Sequence, residues 1–392
     1  MTHLRLVDPH GQLAPYALSG RTLPQVPLVP FNRIAYSAAH VVADPLAAID
    51  PWLDCAVDWE TTLQYRHHLW SLGLGVAEAM DTAQRGMGLD WPTSRELITR
   101  TLREARTVPG ARVASGCGTD HLALADVQTL DDVIRAYDEQ IEAIESLGGR
   151  LIIMASRALV KVARSPADYE RVYDHILSQV REPVILHWLG DMFDPALQGY
   201  WGHTDLTRAT QTALDIIRAH ADKVDGIKIS LLDHQREIDM RRQLPRGVRM
   251  YTGDDFNYAD LIAGDEQGTE PNHRHSDALL GIFDAIAPAA SAALSALAQG
   301  QVDLFHRILQ PTVPLSRHIF QAPTRFYKTG VVFMAWLNGH QAHPVMVGGQ
   351  HSARSLPHVC ELFRLADQAG LLSDPERAGV RMRQWLAVHG VS

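Results

Sequence analysis

Cysteine is scarce in this chain. Its 392 residues hold three, Cys55, Cys117 and Cys360. An odd set of three gives no disulfide framework, and the spacing matches no zinc-binding pattern. Such thiols suit a reducing compartment, so a cytoplasmic protein is expected. Long apolar runs are also missing. The opening MTHLRLVDPHGQLAPYALSG has no apolar core of signal-peptide type. The most apolar later stretch, IAPAASAALSALA at 286–298, is too short to span a bilayer and is rich in alanine rather than leucine. No membrane partner is expected. Basic charge is in deficit, with 36 Lys+Arg against 45 Asp+Glu and a net charge of −9. That balance argues against a nucleic-acid partner. No Gly-Lys-Ser/Thr of a phosphate-binding loop follows the glycines at 116 and 118, and no glycine-rich turn of a dinucleotide fold appears.

What remains is an ordinary globular composition, 46% hydrophobic and 21% charged. A chain of this length buries a core without covalent staples. The 20 histidines are scattered, so they form no metal-storing tract. Residues 1–30 carry five prolines and read as an extended arm. Beyond them, short apolar runs alternate with helical patterns. The strand-like runs are 34–42, 73–80, 111–116, 150–156, 183–188, 224–230, 247–253 and 278–286. Helical periodicity covers 59–72, 92–106, 130–147, 166–180, 205–220, 234–244 and 256–263, the second opening at Pro92-Thr93-Ser94 with a serine or threonine cap. Eight alternations in about 260 residues give an α/β fold of the (β/α)8 TIM barrel class, over 31–288. A doubly wound sheet is the runner-up. Residues 289–392 read as a C-terminal helical module of four or five helices, clearest at 325–339 and 356–369.

In such a barrel the chemistry lies at the C-terminal ends of the strands. In VDGIKIS, strand alternation separates Ile227 and Ile229 from Gly226, Lys228 and Ser230. If the isoleucines pack on the outer helices, Lys228 points into the barrel. A desolvated lysine is a nucleophilic amine that forms an imine with a carbonyl. The competing reading is a lysine that snorkels or pairs with a carboxylate. In PVILHW, Ile185 and His187 share one face and Val184, Leu186 and Trp188 the other; if the Ile185 face is inward, His187 sits at the mouth of the fifth strand beside Lys228 on the sixth. Neighbouring strands are ~4.8 Å apart, so a proton can pass between the two groups. The competing reading is a core histidine bonded to a carbonyl. Thr252-Gly253-Asp254-Asp255 offers a glycine for close approach and carboxylates for hydroxyls, or simply a helix cap. Ser115-Gly116-Cys117-Gly118-Thr119-Asp120-His121 reads first as a turn. Glu78, Asp81, His121, His187 and Asp254 together form a divalent-metal type of donor set, if one mouth gathers them.

These segments, in this order, resemble the dihydrodipicolinate synthase / N-acetylneuraminate lyase superfamily of Schiff-base aldolases and lyases. GIKIS is similar to the strand-six motif whose lysine forms the imine, and PVILHW to the strand-five motif some forty residues before it. YTGDDF resembles the strand-seven segment near the substrate hydroxyls. VASGCGTD resembles the strand-three glycine turn, RSPADYERVYDHI the helix after strand four, and TRFYKTGVVFMAWLNG a C-terminal helix whose lysine, here Lys328, is structural. The resemblance spans roughly residues 30–370. It implies a carbon–carbon lyase or dehydratase acting on a small keto acid or keto-sugar through Lys228, with His187 moving protons. It implies substrate contacts from Ser230, Gly253, Asp254, Asp255, Glu78, Gly116 and Thr119, no cofactor beyond the covalent lysine imine, and a homodimer or homotetramer.

Two departures stand out. The tyrosine of the strand-five motif falls on His187, a group that shuttles protons nearer neutral pH. The hydroxyl-rich strand-two motif that binds a substrate carboxylate is replaced by GLGVAEAMDTAQRG, where Glu78 and Asp81 repel a carboxylate unless a cation or Arg85 intervenes. A neutral keto-sugar becomes more favourable. So does a metal-dependent lyase or isomerase using Glu78, His121 and His187. A barrel that binds ligand without turnover is the non-enzymatic alternative.

Overall fold

The computed structural model describes residues 4–8, 10–265 and 268–391. The sequence opens with a hairpin, β1 (Leu4–Val7) and β2 (Leu13–Tyr16), paired antiparallel. Eight strands then close a parallel barrel: β3 (Ala35–Ala38), β4 (Gly75–Glu78), β5 (Val113–Cys117), β6 (Arg150–Ile153), β7 (Val184–Leu189), β8 (Val224–Ser230), β9 (Arg249–Thr252) and β10 (Asp277–Leu280). The barrel expectation holds.

Helices follow each strand. They are α1 (Trp59–Ser71), α2 (Trp91–Ala105), α3 (Leu130–Glu145), α4 (Arg157–Val162), α5 (Pro166–Gln179), α6 (Leu206–Ala219), α7 (His234–Arg241) and α8 (Tyr258–Ala263), then α9 (Ile282–Ala285) and α10 (Ala287–Ala298) after β10. Carboxylates cap several of them: Asp58, Asp90, Asp205 and Asp233 each accept from a backbone N–H three residues on. For α2 this corrects the expected serine or threonine cap, because the helix starts at Trp91 and Pro92 already stands in its first turn. The run 278–286 is not one strand. It turns at Gly281 into α9, a switch that a uniformly apolar run does not announce.

The remaining helices are α11 (Val302–Leu309), α12 (Val313–Ile319), α13 (Tyr327–Leu337), α14 (Leu356–Gln368) and α15 (Pro375–Val388). Every residue of α13 is buried, and the helix packs on α9 and on the turn Asp81–Ala83 after β4. It therefore lies over the C-terminal end of the barrel. The N-terminal arm is more structured than its prolines suggest. Asp8 Oδ1 accepts from the N–H groups of His10 and Gln12, which folds the hairpin. Leu4 and Leu6 are buried, Tyr16 Oη donates to Asp367 (2.7 Å), and Arg364 donates to the Val7 carbonyl (2.7 Å). The arm is latched to α14.

Inside the barrel, alternation places Tyr36, Ala38, Ala77, Ala114, Ile152, Ile185, Tyr251 and Leu279 in a cluster separate from the outer core. The N-terminal end is closed by polar groups. Tyr251 Oη donates to Asp225 (2.6 Å), and Arg249 bridges Asp225 (3.0 Å) and Asp277 (3.2 Å).

One buried acid gives the stability a pH signature. Glu237 of α7 accepts from Ser276 Oγ at 2.7 Å, and its other oxygen has no partner among the described residues. Burial pushes its carboxyl from 4.5 up to about 8. Below about pH 4.5 it is protonated folded or unfolded; between there and about 8 only the folded chain keeps the proton. Its stabilising contribution is then lost as pH rises, by about 1.4 kcal/mol per pH unit. Urea unfolding across that window should show the wild type losing ground to Glu237→Gln as pH rises. Parallel profiles would contradict this assignment.

Candidate active site

Lys228 is the fifth residue of β8 and points into the barrel with Gly226 and Ser230, while Ile227 and Ile229 join the outer core. It is 8% exposed and takes part in no ion pair or hydrogen bond among the described residues. Burial lowers its pKa from the ordinary 10.5, and the charges of Asp255 and Asp81 oppose that only in part. Space for the side chain comes from Gly253 after β9. A Cβ there would lie 2.7 Å from Lys228 Cε and 2.6 Å from the Ile229 carbonyl oxygen, closer than any side chain tolerates.

The ladder pairs His187 with Lys228 directly. His187 is buried, its Nδ1 has no partner among the described residues, and its Nε2 lies 3.5 Å from Ser230 Oγ. Burial first, then the Lys228 charge, hold the imidazole well below the usual histidine range, so it is neutral at pH 7.

Lys228 lines a narrow recess with Asp81, Asp255, Ser230, Tyr327 and Thr82. Asp255 accepts from the Ile282 N–H (2.9 Å). Burial raises its carboxyl to about 7, against the pull of that bond and of Lys228. Tyr327 Oη and Thr82 Oγ1 are 2.8 Å apart, and Phe320 stacks on the Tyr327 ring at 4.2 Å. Burial keeps this phenol neutral. The recess shares Asp81 and Leu189 with a chamber of about 210 Å³ that His187 and Thr119 also line. Thr119 Oγ1 is 2.7 Å from Ser156 Oγ.

Several expected site residues lie elsewhere. Glu78 is fully buried on the outer face of β4. It takes a bidentate pair from Arg66 (2.8 and 2.9 Å), with further bonds from Thr101 Oγ1 (2.6 Å) and the Ala79 N–H (2.9 Å). Alternation explains this, since Ala77 is the inward residue of β4. Asp254 spends both oxygens on its own turn, accepting from the N–H groups of Phe256 and Asn257 and from Asn257 Nδ2. Gly116 is a packing glycine: a Cβ would lie 2.7 Å from the Ala79 carbonyl oxygen. His121 sits on the loop after β5, with Gln140 at 2.8 Å and Glu139 at 3.3 Å. The set Glu78, His121 and His187 is therefore not assembled, and no group of three metal-type donors occurs among the described residues.

Three residues escaped the sequence reading: Tyr327, Thr82 and the position of Lys328. The chain has only four lysines, at 161, 223, 228 and 328. Two of them are buried around one carboxylate, because Asp81 faces both the Lys228 recess and a neighbouring chamber lined by Lys328. Lysine scarcity was the available signal.

A family profile described as a protein of unknown function, DUF993, matches residues 4–391. The chain belongs to the DUF993 family. No curated protein matches it. Among solved structures, the DUF993 chain is similar to a dihydrodipicolinate synthetase described as putative, from Pseudomonas aeruginosa (15% identity, TM-score 0.62, covering 86% of this chain and 99% of that one). It is also similar to dihydrodipicolinate synthase from Aquifex aeolicus (12%, TM-score 0.61, 87% and 99%). A third is YagE of E. coli K12, a prophage protein of the dihydrodipicolinic acid synthase family solved with pyruvate (16%, TM-score 0.62, 87% and 99%). The resemblance read from the sequence thus holds for the fold.

The Glu78 assignment is open to test. Removing one partner of a buried ion pair costs about 3–5 kcal/mol. Glu78→Ala should lose that much unfolding free energy in denaturant titration. A variant of unchanged stability would return Glu78 to the list of ligand-binding groups.

Proposed function

We propose that this DUF993 protein is a Schiff-base-forming lyase, either cleaving a carbon–carbon bond or removing water from a small keto acid or keto-sugar. The observation that carries this is Lys228, an inward, buried and unpaired amine at the C-terminal end of the sixth barrel strand, β8. Desolvation raises the fraction of free amine at neutral pH, and the free amine is the nucleophile. Attack on a carbonyl carbon gives a carbinolamine, and loss of its hydroxyl as water gives the iminium. The iminium then takes up the electron pair released when the adjacent bond breaks.

Proton carriers surround the lysine. Neutral His187 on β7 accepts a proton. Asp255, protonated up to about pH 7, returns one, and the Tyr327 phenol, hydrogen-bonded with Thr82, lines the same recess. The Asp81 carboxylate disfavours a carboxylate bound directly beside the carbonyl. This supports a keto-sugar over a simple 2-oxo acid. The fold resemblance supports a homodimer or homotetramer, and the free buried Cys117 and Cys360 suit a reducing compartment such as the cytoplasm.

Borohydride reduction with intact-mass readout, using a panel of 2-oxo acids and keto-sugars, tests the proposal. A stable adduct is expected on the wild type and not on Lys228→Ala. His187→Asn should slow turnover of the trapped compound by ~10²–10⁴. Turnover that survives in Lys228→Ala would overturn the reading.

A further inference from the structure

Charge changes sign across Asp81. On the Lys228 side the recess holds the carboxyls of Asp81 and Asp255. On the other side, a chamber of about 290 Å³ is lined by Arg85, Arg157, Arg325 and Lys328 against Asp81 and Asp194. The two spaces share Asp81, Leu189 and Phe193. Two of the four cations are already satisfied. Arg85 forks onto Asp120 (2.8 and 3.0 Å), and Arg157 pairs with Asp194. The other two are not. Arg325 forms no ion pair among the described residues, and its guanidinium lies over the Phe326 ring at 4.9 Å. Lys328 is 4% exposed; its ammonium donates to the Arg325 carbonyl (3.0 Å) and to Met87 Sδ (3.3 Å), lies 4.9 Å from the centre of the Tyr327 ring, and forms no ion pair among the described residues. A buried ammonium and a guanidinium, neither in an ion pair among the described residues, face this chamber together and form a site for an anion.

We propose that this chamber binds an anionic group, a phosphate monoester or a carboxylate, at the end of the substrate remote from its carbonyl, with Lys328 and Arg325 as direct ligands. The inference rests on the reading of Lys228 as the imine-forming residue. It narrows the substrate to a keto compound whose charge is held away from the reacting carbon. The acidic groups beside Lys228 then no longer conflict with an anionic substrate, because the anion sits on the far side of Asp81.

Two measurements separate this claim from the one beneath it. The first is half-saturation of borohydride trapping at Lys228 with dihydroxyacetone, dihydroxyacetone phosphate and levulinate. The wild type should trap at least one charged probe at tenfold lower concentration than dihydroxyacetone, and the better of the two identifies the anion. Arg325→Ala, an exposed position, and Lys328→Met should each shrink that ratio at least threefold. The second uses no carbonyl: inorganic phosphate and acetate are tested for protection of Lys328 from a small acylating reagent, read by peptide mass spectrometry. Protection with no adduct from any probe would sink the Lys228 reading and leave the anion site standing. Adducts without charge preference, and no protection, would overturn the anion site alone. A charge preference that persists in the Arg325→Ala, Lys328→Met double variant would also overturn it.

Discussion

A lysine in no ion pair among the described residues, enclosed at the mouth of a parallel barrel, is the constraint around which this molecule is arranged. Burying an unpaired ammonium is costly, and the protein relieves the cost by lowering the pKa rather than by supplying a salt bridge. That choice needs a rigid frame. Gly253 leaves the volume the side chain occupies, the β7–β8 ladder fixes His187 beside it, and the Arg249–Asp225–Asp277 cluster seals the opposite end of the barrel. Ligand access is confined to the end where the lysine sits.

The C-terminal helices belong to this site. From α13 come Tyr327, which faces Lys228, and Lys328, which faces the neighbouring chamber. Phe320, just after α12, stacks on Tyr327, and Gly281 admits the pair: a Cβ there would lie 3.1 Å from the Phe320 ring. The paired strands β1 and β2 are latched to α14 through Asp367 and Arg364. Helix α13, from the end of the chain, thus roofs the strand ends.

Much of this was legible from the sequence, and the failures have physical causes. Period-two alternation turns Lys228 and His187 inward, and the same rule turns Glu78 outward with Val76. Reading Glu78 as a ligand followed a motif position instead of the pleat. Asp254 and Asp255 are neighbours of equal chemistry. Only the turn, with Asn257 three residues on, commits Asp254 to capping and frees Asp255 for the recess. Tyr327 and Lys328 were beyond local reasoning, since nothing in a buried helix pattern says which strand ends it covers. Within the arm at 1–30 the prolines point to extended chain but not to the pairing of β1 with β2, whose signal is the turn at Asp8.

The central claim is that Lys228 is a desolvated amine poised for imine formation. Competitive acylation with a small reagent across a pH series, read lysine by lysine by mass spectrometry, tests it most directly. Lys161, on an exposed surface, serves as the internal reference. The account predicts a titration midpoint for Lys228 below the ordinary 10.5 of a lysine. A midpoint at or above it would mean that the ammonium is stabilised in place, and Lys228 would then be a structural cation.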